Sequence, residues 1–480
     1  MEKTGGNTVV DYTCLKYNTV KISEIINQGI RFEATVFDVE GKKARKTLEK
    51  CGSQITTICG ENGLANSYHR PRFKRIWVEK SEYPIYQPAQ ILDIDPTPSG
   101  YISELTDTDI NELRVKKGQI LLTCSGTIGN TSIVTDSLDN QIFSHDLIRV
   151  TCKSYEDIGY IYTYLNTEVG KIILETNNYG AVISHIEPEH LEGVPIPNAD
   201  IKVKEKINEL IQESFELRDE SNKLMKEASL LLRKNLELCD INKLDKKSFK
   251  NNEELENYTV KLSETTLRFD ASFCKPIYKK MNEDIKKNAC EVISLGDERL
   301  TKSIVLAGVF KRLYVDKEFG YPFLGGREIT QLNPKVYKYL SKEHHRVRYE
   351  KELKISENTI LITDRGTIGK VAIAPKHLEN YAVSQNVIKV NCINDFIAGY
   401  IYAFLSSDYG ITLIKKETYG SVVDMIDDNN LKNIIVPILK DKDEMKKISD
   451  KVLDANKKRY QAFVKEEEAI KIMNKEVLKI

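Results

Sequence analysis

The chain has 480 residues, of which 41% are hydrophobic and 30% charged, an ordinary balance for a globular protein. Its 71 basic and 71 acidic residues cancel to a net charge of +0, which neither supports nor excludes a nucleic-acid partner. No run approaches ~18 uninterrupted apolar residues, which excludes a membrane span. The start, MEKTGGNTVVDYTC, lacks the basic region and apolar core of a secretory signal, and the nine cysteines show no pairing pattern. We therefore expect a cytoplasmic protein with reduced thiols.

The chain repeats itself. Residues 119–134 read QILLTCSGTIGNTSIV and residues 359–374 read TILITDRGTIGKVAIA, so that Gly126 matches Gly366 at an offset of 240. At or near this offset follow Tyr160-Ile161-Tyr162 with Tyr400-Ile401-Tyr402, Tyr179-Gly180 with Tyr419-Gly420, Phe73-Lys74-Arg75 with Phe310-Lys311-Arg312, and Arg31-Phe32-Glu33-Ala34 with Arg268-Phe269-Asp270-Ala271. This period is too long for a solenoid, so we predict two copies of one domain.

Each copy predicts the same series of elements. Two short strands flank the GTIG turn, a third strand and a helix with aromatic residues at i, i+4 follow, and a short apolar strand ends the copy. In the first copy these are 119–124, 131–134, Ile142–Val150, Ile158–Leu174 and Pro195–Pro197; in the second the helix is Phe396–Ile414 and the last strand ends at Val436-Pro437.

A long heptad-patterned stretch follows each copy. Across 203–238 eleven positions step 4-3-4-3, and eight of them are apolar; charges fill the remainder, and Gly and Pro are absent. The three polar positions, Ser214, Ser221 and Asn235, are those that a register-fixing seam would use. This pattern is typical of a coiled-coil helix, which at ~1.5 Å per residue is roughly 54 Å long. Residues 444–479 repeat the stripe, and the polar stretch 241–257 between the copies predicts a surface linker. The alternative is a long solvated helix that packs on its own domain.

No catalytic motif is recognisable. GTIGK at 366–370 resembles a phosphate-binding loop, but Asp364 and Val371 stand where that loop needs Gly and Ser or Thr. The segment is better explained as a tight turn that needs glycine. Methyltransferase tetrapeptides, nuclease motifs and metal-ligand spacings are absent, and the adjacent His344 and His345 cannot both face one site on a regular element.

Two basic segments are candidate DNA contacts. His69–Arg75 (HRPRFKR) carries four formal positive charges, and Lys342–Arg348 (KEHHRVR) is its less compact counterpart. Arginine can bind guanine bidentately in a major groove, and lysine neutralises phosphate. The alternative is an ordinary solvated surface.

Together these features resemble the specificity subunit of Type I restriction–modification systems over almost the whole chain. The resemblance is carried by the paired GTIG segments, by Ser144–Leu147 (SHDL) and Ser384–Val387 (SQNV), and by YGAV at 179–182 and YGSV at 419–422. It implies an α+β fold with two tandem globular target recognition domains of mixed β-sheets, each followed by a long helix. The two helices are expected to pair as an antiparallel coiled coil.

The resemblance also implies a domain organisation and partners. Recognition domain 1 (1–198), a central spacer helix (199–240), a linker (241–257), recognition domain 2 (258–437) and a C-terminal spacer helix (438–480) are expected in that order. Each recognition domain is expected to bind one half of a bipartite, asymmetric double-stranded DNA target. The helices would act as a spacer and dock two modification (methyltransferase) subunits that methylate adenine N6, and two restriction/translocase subunits would join for cleavage where present.

The same resemblance places the chemistry in the partners. S-adenosylmethionine would belong to the methyltransferase, and ATP and Mg²⁺ to the restriction subunit, while no cofactor, metal or catalytic residue is expected in this chain. Residues 35–68 and 273–309 align poorly between the copies, which favours two different half-sites.

Candidate site residues come from the basic runs, the turns and the helix stripe. The expected DNA contacts are Arg70, Arg72, Lys74, Arg75, Ser125, Thr127, Lys311, Arg312, Arg327, Arg346, Arg365, Thr367 and Lys370. The expected helix seam for the partner subunits is Ile207, Leu210, Leu217, Leu224, Leu231, Ile448, Val452 and Met473. Two alternatives stay open: the recognition chain of a Type IIB-like enzyme, and a coiled-coil scaffold that binds protein and never DNA.

Overall fold

The computed structural model describes residues 19–27, 37–176, 185–246, 258–262, 265, 268–334, 336, 338–420 and 423–480. The predicted segments Arg31–Ala34 and 179–182, residues 421–422 of the YGSV segment, and residues 247–257 of the linker lie outside them. By its contacts the chain divides into two units. The first comprises Met1–Pro88, Gly100–Leu210 and Glu468–Ile480, and the second comprises Ala89–Ser99 and Ile211–Glu467.

The first copy forms three small sheets and a helical layer. Its elements are α1 (Ile22–Asn27), α2 (Val39–Lys50), β1 (Ile55–Thr57), β2 (Ala65–His69), β3 (Trp77–Val78), β4 (Pro84–Tyr86), β5 (Gly100–Ile102), β6 (Ile120–Thr123), β7 (Thr131–Ile133), β8 (Ile142–Phe143), β9 (Leu147–Cys152), α3 (Glu156–Asn166), α4 (Glu168–Thr176), α5 (Pro188–Glu192) and β10 (Pro195–Pro197). The sheets have the orders β2-β9-β6-β7, β3-β5-β4-β8 and β1-β10. The β4–β8 pair is parallel and its neighbours are antiparallel, so the second sheet is mixed.

The second copy repeats this plan after α6 (Ile201–Asn235) and α7 (Ile241–Lys246). Its elements are α8 (Pro276–Asn288), β11 (Glu291–Ser294), β12 (Thr301–Leu306), β13 (Tyr314–Val315), β14 (Gly320–Leu324), β15 (Tyr339–Ser341), α9 (Lys342–Arg348), β16 (Ile360–Thr363), β17 (Val371–Ile373), β18 (Ala382–Val383), β19 (Val387–Cys392), α10 (Asp395–Leu405), α11 (Asp408–Lys416), α12 (Asp428–Lys432), β20 (Ile435–Ile438) and α13 (Lys442–Ile472). The sheet orders are β12-β19-β16-β17, β13-β15-β14-β18 and β11-β20. The matching orders confirm the predicted α+β duplication.

The GTIG segments are tight turns between β6 and β7 and between β16 and β17. Gly126 and Gly129 have φ of 71° and 84°, and Gly366 and Gly369 have 73° and 81°. A left-handed backbone favours glycine at these positions. The hydroxyl of Thr123 closes the first turn by donating to the Thr127 carbonyl at 2.6 Å.

The helix predicted over Ile158–Leu174 is two helices, α3 and α4, and the second copy shows the same break between α10 and α11. Thr167 separates the first pair, because its hydroxyl donates to the Tyr164 carbonyl at 2.7 Å and accepts from the Gly170 N–H at 3.0 Å. The strand predicted over Ile142–Val150 is also divided, into β8 and β9, which belong to different sheets. Apolar periodicity alone predicts one continuous element in each case, whereas the Thr167 hydroxyl ends α3 and begins α4.

Gly170 allows the close approach of α3 and α4. A Cβ at this position would lie 2.0 Å from the Tyr164 carbonyl oxygen. Gly170→Ala is therefore expected to lower the free energy of unfolding by roughly 2–3 kcal/mol, measured by urea unfolding with circular dichroism. Gly193→Ala is the control, because its Cβ would meet no atom closer than 3.6 Å. Equal unfolding midpoints for the two variants would contradict this packing.

The helices α6 and α13 pair antiparallel within the second unit. Glu213, Glu220 and Glu227 on α6 meet Lys465, Lys458 and Lys451 on α13 at 2.5, 2.6 and 2.5 Å, so the numbers rise on one helix as they fall on the other. Partly exposed ion pairs stabilise weakly, but their heptad spacing fixes the register. The predicted antiparallel coiled coil is confirmed.

The seam of this pair is built from small side chains. Ser214, Ser221, Ala455 and Ala462 are fully buried, and the Ser214 hydroxyl donates to the Ala462 carbonyl at 2.9 Å. Of the residues expected on the seam, Ile207, Leu210, Ile448, Val452 and Met473 are buried, whereas Leu217, Leu224 and Leu231 are half-buried beside it. Among the residues described, no helix is both long and apolar enough to cross a membrane.

Candidate functional site

The basic segment of the first copy joins β2 to β3 and thus two different sheets. Two of its cations are held by acidic partners: Arg70 lies 2.7 Å from Glu112, and Arg75 lies 3.3 Å from Asp146. Arg72 and Lys74 are exposed and form no ion pair within the described part of the chain. The structure therefore separates two positioning arginines from two cations that are accessible to a ligand.

An exposed aromatic residue adjoins these cations. Trp77, the one tryptophan of the sequence, is 51% exposed on the edge strand β3, and the Arg75 guanidinium carbon lies 6.0 Å from its ring centroid. Ile76 is also exposed. Aromatic faces beside cations are common at nucleic-acid interfaces. Trp77 was not among the predicted site residues, although its rarity in the composition was a usable signal.

The equivalent segment of the second copy joins β12 to β13. Lys311 is exposed, while the Arg312 guanidinium carbon lies 5.4 Å from the Phe323 ring centroid. Tyr314 and Phe319 are exposed nearby, and the Lys338 ammonium lies 5.6 Å from the Tyr314 ring centroid. Both copies thus place an exposed lysine, which forms no ion pair with the residues that the structure describes, and an exposed aromatic ring at the same edge of the mixed sheet.

The second basic run, Lys342–Arg348, forms the short helix α9. His345 is buried, and its Nε2 accepts the Leu313 N–H at 3.1 Å. Arg348 is paired with Glu352 at 2.5 Å, whereas Arg346 is exposed. Only part of this run is therefore accessible to a ligand, because helix geometry turns His345 inward.

The SHDL segment supports the first basic segment. Asp146 accepts the Ser144 hydroxyl at 3.0 Å and also holds Arg75. In the second copy Asn386 replaces this aspartate, and its N–H donates to the Ser384 hydroxyl at 3.2 Å. These motif residues position loops and form part of the scaffold.

The candidate residues at the GTIG turns also fall into two groups, those held by acidic partners and those exposed to a ligand. Arg365 lies 2.7 Å from Asp364, whose carboxyl is fully buried, and burial raises the pKa of Asp364. Lys370 lies 3.7 Å from Asp93. Ser125 is half-buried, and the three residues exposed to a ligand are Thr127, Thr367 and, on another loop, Arg327.

A Cys–His–Glu row in the first copy resembles a nucleophile site. His69 Nδ1 lies 2.9 Å from Glu187 and its Nε2 lies 3.6 Å from the Cys124 sulfur. Burial raises the pKa of Cys124 to about 12, so the thiol stays protonated and is a poor nucleophile. The described residues contain no group of three His, Cys, Asp or Glu side chains arranged to hold a metal.

The helix α6 carries a second apolar stripe. Leu217, Leu224 and Leu231 recur every seven residues and are half-buried, Leu231 against the core of the second unit, and Leu230 is 64% exposed. Half-buried leucines in heptad spacing are suited to accept a further helix beside the pair.

His377 packs against α13 in the second unit. Its ring stacks on Phe463 with the centroids 4.1 Å apart, and its Nε2–H donates to the Leu332 carbonyl at 2.6 Å. Burial lowers the pKa of His377 to about 4, below the usual value of 6.5. The folded protein therefore favours the neutral ring, and the stability that this ring contributes is present above pH 6.5 and is lost as the pH falls towards 4.

His377→Gln tests this linkage, because glutamine keeps a donor and does not titrate. Urea unfolding between pH 6.5 and 4 should show a smaller loss of stability in the variant than in the wild type. Parallel pH profiles for the two proteins would contradict the assignment.

Residues 316–462 match the family described as "Type I restriction modification DNA specificity domain". That stretch begins just before β14 and ends within α13. No curated protein sequence matches the chain.

Three solved structures are similar to the chain. The S subunit of a Type-I restriction-modification system from M. genitalium is 15% identical, with 88% of this chain and 98% of that chain covered and a TM-score of 0.28. The HsdS subunit from Thermoanaerobacter tengcongensis is 11% identical, with 86% and 96% covered and a TM-score of 0.27. A structure concerning complex assembly and conformational transition of the type I R-M system is 13% identical, with 85% and 98% covered and a TM-score of 0.27.

Proposed function

We propose that the chain is a Type I DNA specificity protein, because residues 316–462 match the family described as "Type I restriction modification DNA specificity domain", and that each of its two copies recognises one half of a bipartite DNA target. The observation that carries this proposal is the duplication. The first copy has the same sheet orders as the copy that contains the matched domain. Two copies with unlike loops suit an asymmetric target with two different half-sites.

We infer the domain organisation from the same repeat. Residues 1–198 and 258–437 would be the recognition domains, 199–240 and 438–480 the spacer helices, and 241–257 the linker. In this proposal the chain would be a specificity subunit, a non-catalytic member of its system, and it would act in the cytoplasm where the DNA lies.

Exposed cations support the DNA contact. Arg72, Lys74, Lys311, Arg327 and Arg346 are exposed side chains that can neutralise phosphate or bind base edges. Thr127 and Thr367 at the exposed GTIG turns can donate to phosphate oxygens. Arg70, Arg75, Arg365, Arg312 and Lys370 are engaged within the protein and would position the loops, while Ser125 supports its turn.

The helix pair supports the partner proposal. Leu217 and Leu224 offer apolar area beside a seam that is already filled, whereas Leu231 packs against the core of the second unit. We propose that helices of two modification subunits dock there, and that these subunits carry S-adenosylmethionine and methylate adenine N6 after flipping the base. Restriction subunits that use ATP and Mg²⁺ would join the same complex where they are present.

A DNA titration tests this function. The chain, purified with its modification subunits, is titrated with duplex DNA at several salt concentrations. We expect the logarithm of the affinity to fall linearly with the logarithm of the salt concentration, because binding releases counterions. A protein scaffold that never binds DNA would show no salt-dependent binding to any sequence. A Type IIB-like system would bind equally well, and the domain content of its partner would distinguish it.

A further inference from the structure

Residues Ala89–Ser99 belong to the first copy in sequence but to the second unit by their contacts. The chain leaves the first unit after Pro88 and returns to it at Gly100. Within this excursion, Asp93 forms an antiparallel bridge with Gln331, and the Ile94 N–H donates to the Thr330 carbonyl at 2.9 Å. We call Asp93-Ile94-Asp95 the clip.

The bridged residues occupy equivalent places in the two copies. Ile85 in β4 pairs in parallel with β8, and Phe323 in β14 pairs in parallel with β18. Asp93 lies as far beyond Ile85 as Gln331 lies beyond Phe323. The side chains at these equivalent positions differ, however. The first copy has the carboxylates Asp93 and Asp95, whereas the second has the neutral Gln331 and Asn333. The clip is therefore a feature of the first copy alone.

The Asp93 carboxylate contacts Thr330 and Lys370 of the second copy, and Arg327 is a further positive charge close enough to act on it. Its Oδ1 accepts the Thr330 hydroxyl at 2.5 Å, and its Oδ2 lies 3.7 Å from the Lys370 ammonium. The side chain is 10% exposed, so these interactions are little weakened by water. Lys370 is the lysine of GTIGK, and the first copy has Asn130 in its place. The ion pair with Asp93 explains why the turn of the second copy carries a lysine where the turn of the first copy carries an asparagine.

The clip also binds the spacer helix. Asn222 on α6 is 5% exposed, and its amide donates to the Ile94 carbonyl at 2.7 Å. Lys226, one turn further along α6, lies 3.7 Å from Asp95, but both side chains are largely exposed and their pair is weak. One short segment thus contacts both α6 and the second copy through buried groups.

We propose that the clip is a positioning element that restrains the first recognition domain against the spacer helix and the second copy, so that one separation of half-sites is accepted. The proposal rests on the proposed function. Asp93, Thr330 and Asn222 are positioning residues in this proposal and do not touch DNA. Their loss should leave the two half-site sequences unchanged and widen the accepted spacing.

Sequencing of methylated DNA tests the clip. In cells that carry the full chain with its modification subunits, Asp93→Ala and the milder Thr330→Val should both retain the two half-sites. Methylation of targets whose two half-sites are separated by one base pair more or fewer should rise by about tenfold. This corresponds to the loss of about 1.4 kcal/mol of discrimination against the wrong spacing. Asp95→Asn is the matched control and should leave spacing unchanged. Strict spacing in the first two variants would overturn the clip.

A disulfide tests the contact without DNA. Facing residues of an antiparallel pair have Cα atoms about 4.5–5.5 Å apart, within reach of a disulfide. Asp93→Cys combined with Gln331→Cys should give a cross-linked peptide on oxidation of the full chain, whereas Thr97→Cys combined with Gln331→Cys should not. Absence of the cross-link in the first variant would overturn the clip alone. Absence of any bipartite motif in wild-type cells would overturn the proposed function instead.

Discussion

Arg72→Ala combined with Lys74→Ala should weaken DNA binding by roughly 50-fold at 0.1 M salt and lower the salt slope by about 2. Both side chains are exposed and lack acidic partners among the described residues, so removing them leaves no buried charge. The loss should be similar for specific and unrelated sequences if the contacts are to phosphate, and larger for the specific sequence if they are to bases. Binding is measured by fluorescence anisotropy across a salt series.

The control for this pair removes the same charge elsewhere in the first unit. Lys46 and Lys50 are exposed on α2, a helix that packs against α4 and is not part of the segment that joins β2 to β3. Lys46→Ala combined with Lys50→Ala should leave the salt slope unchanged. If both double variants lose affinity equally, the effect is one of net charge, and the basic segment is not the DNA contact.

Leu217→Asp combined with Leu224→Asp should abolish assembly with the modification subunits, by at least about a hundredfold in affinity. Both leucines are half-buried beside the helix seam, so the isolated chain should still fold, while the partner would have to bury two carboxylates. Assembly is measured by sedimentation velocity, and folding by circular dichroism.

The matched control lies one residue earlier on the same helix. Glu216 and Lys223 are exposed, and Glu216→Ala combined with Lys223→Ala should assemble normally. If the leucine variant still forms the complex and methylates with unchanged spacing, α6 does not dock the modification subunits.

The duplication and the turns could be predicted from the sequence because they depend on local rules. Glycines at fixed spacing between apolar runs indicate a tight turn, and the same order of motifs twice indicates two copies. The helix break at Thr167 also has a local signal, because Thr167 stands directly before Glu168, an acidic residue in the first turn of α4. The apolar periodicity of α3 and α4 is nevertheless continuous across the break, and periodicity alone therefore predicts one helix.

The helix seam was only partly predictable. The 4-3 stripe contains Leu217 and Leu224 together with Ser214 and Ser221, so the spacing alone does not separate the leucines from the serines. The seam itself uses Ser214, Ser221 and Ala462, because small side chains let two helices approach closely. A heptad pattern identifies the helix reliably, but by itself it does not decide which of two adjacent stripes on α6 packs against α13.

The accessible cations could not be chosen from the sequence. Arg70 and Arg72 look alike in a basic run, and what separates them is Glu112, which reaches Arg70 from a distant loop. The clip is more remote still, since Asp93 and Thr330 are 237 residues apart. Such contacts depend on the folded chain and leave no periodic signal.

The most direct test of the central claim is single-molecule methylome sequencing of cells that express this chain with a modification subunit. Two unlike recognition domains on one chain should produce a single asymmetric N6-methyladenine motif with two specific parts and a fixed unspecified gap between them. A compact palindromic motif, or methylation that does not depend on the chain, would contradict this account.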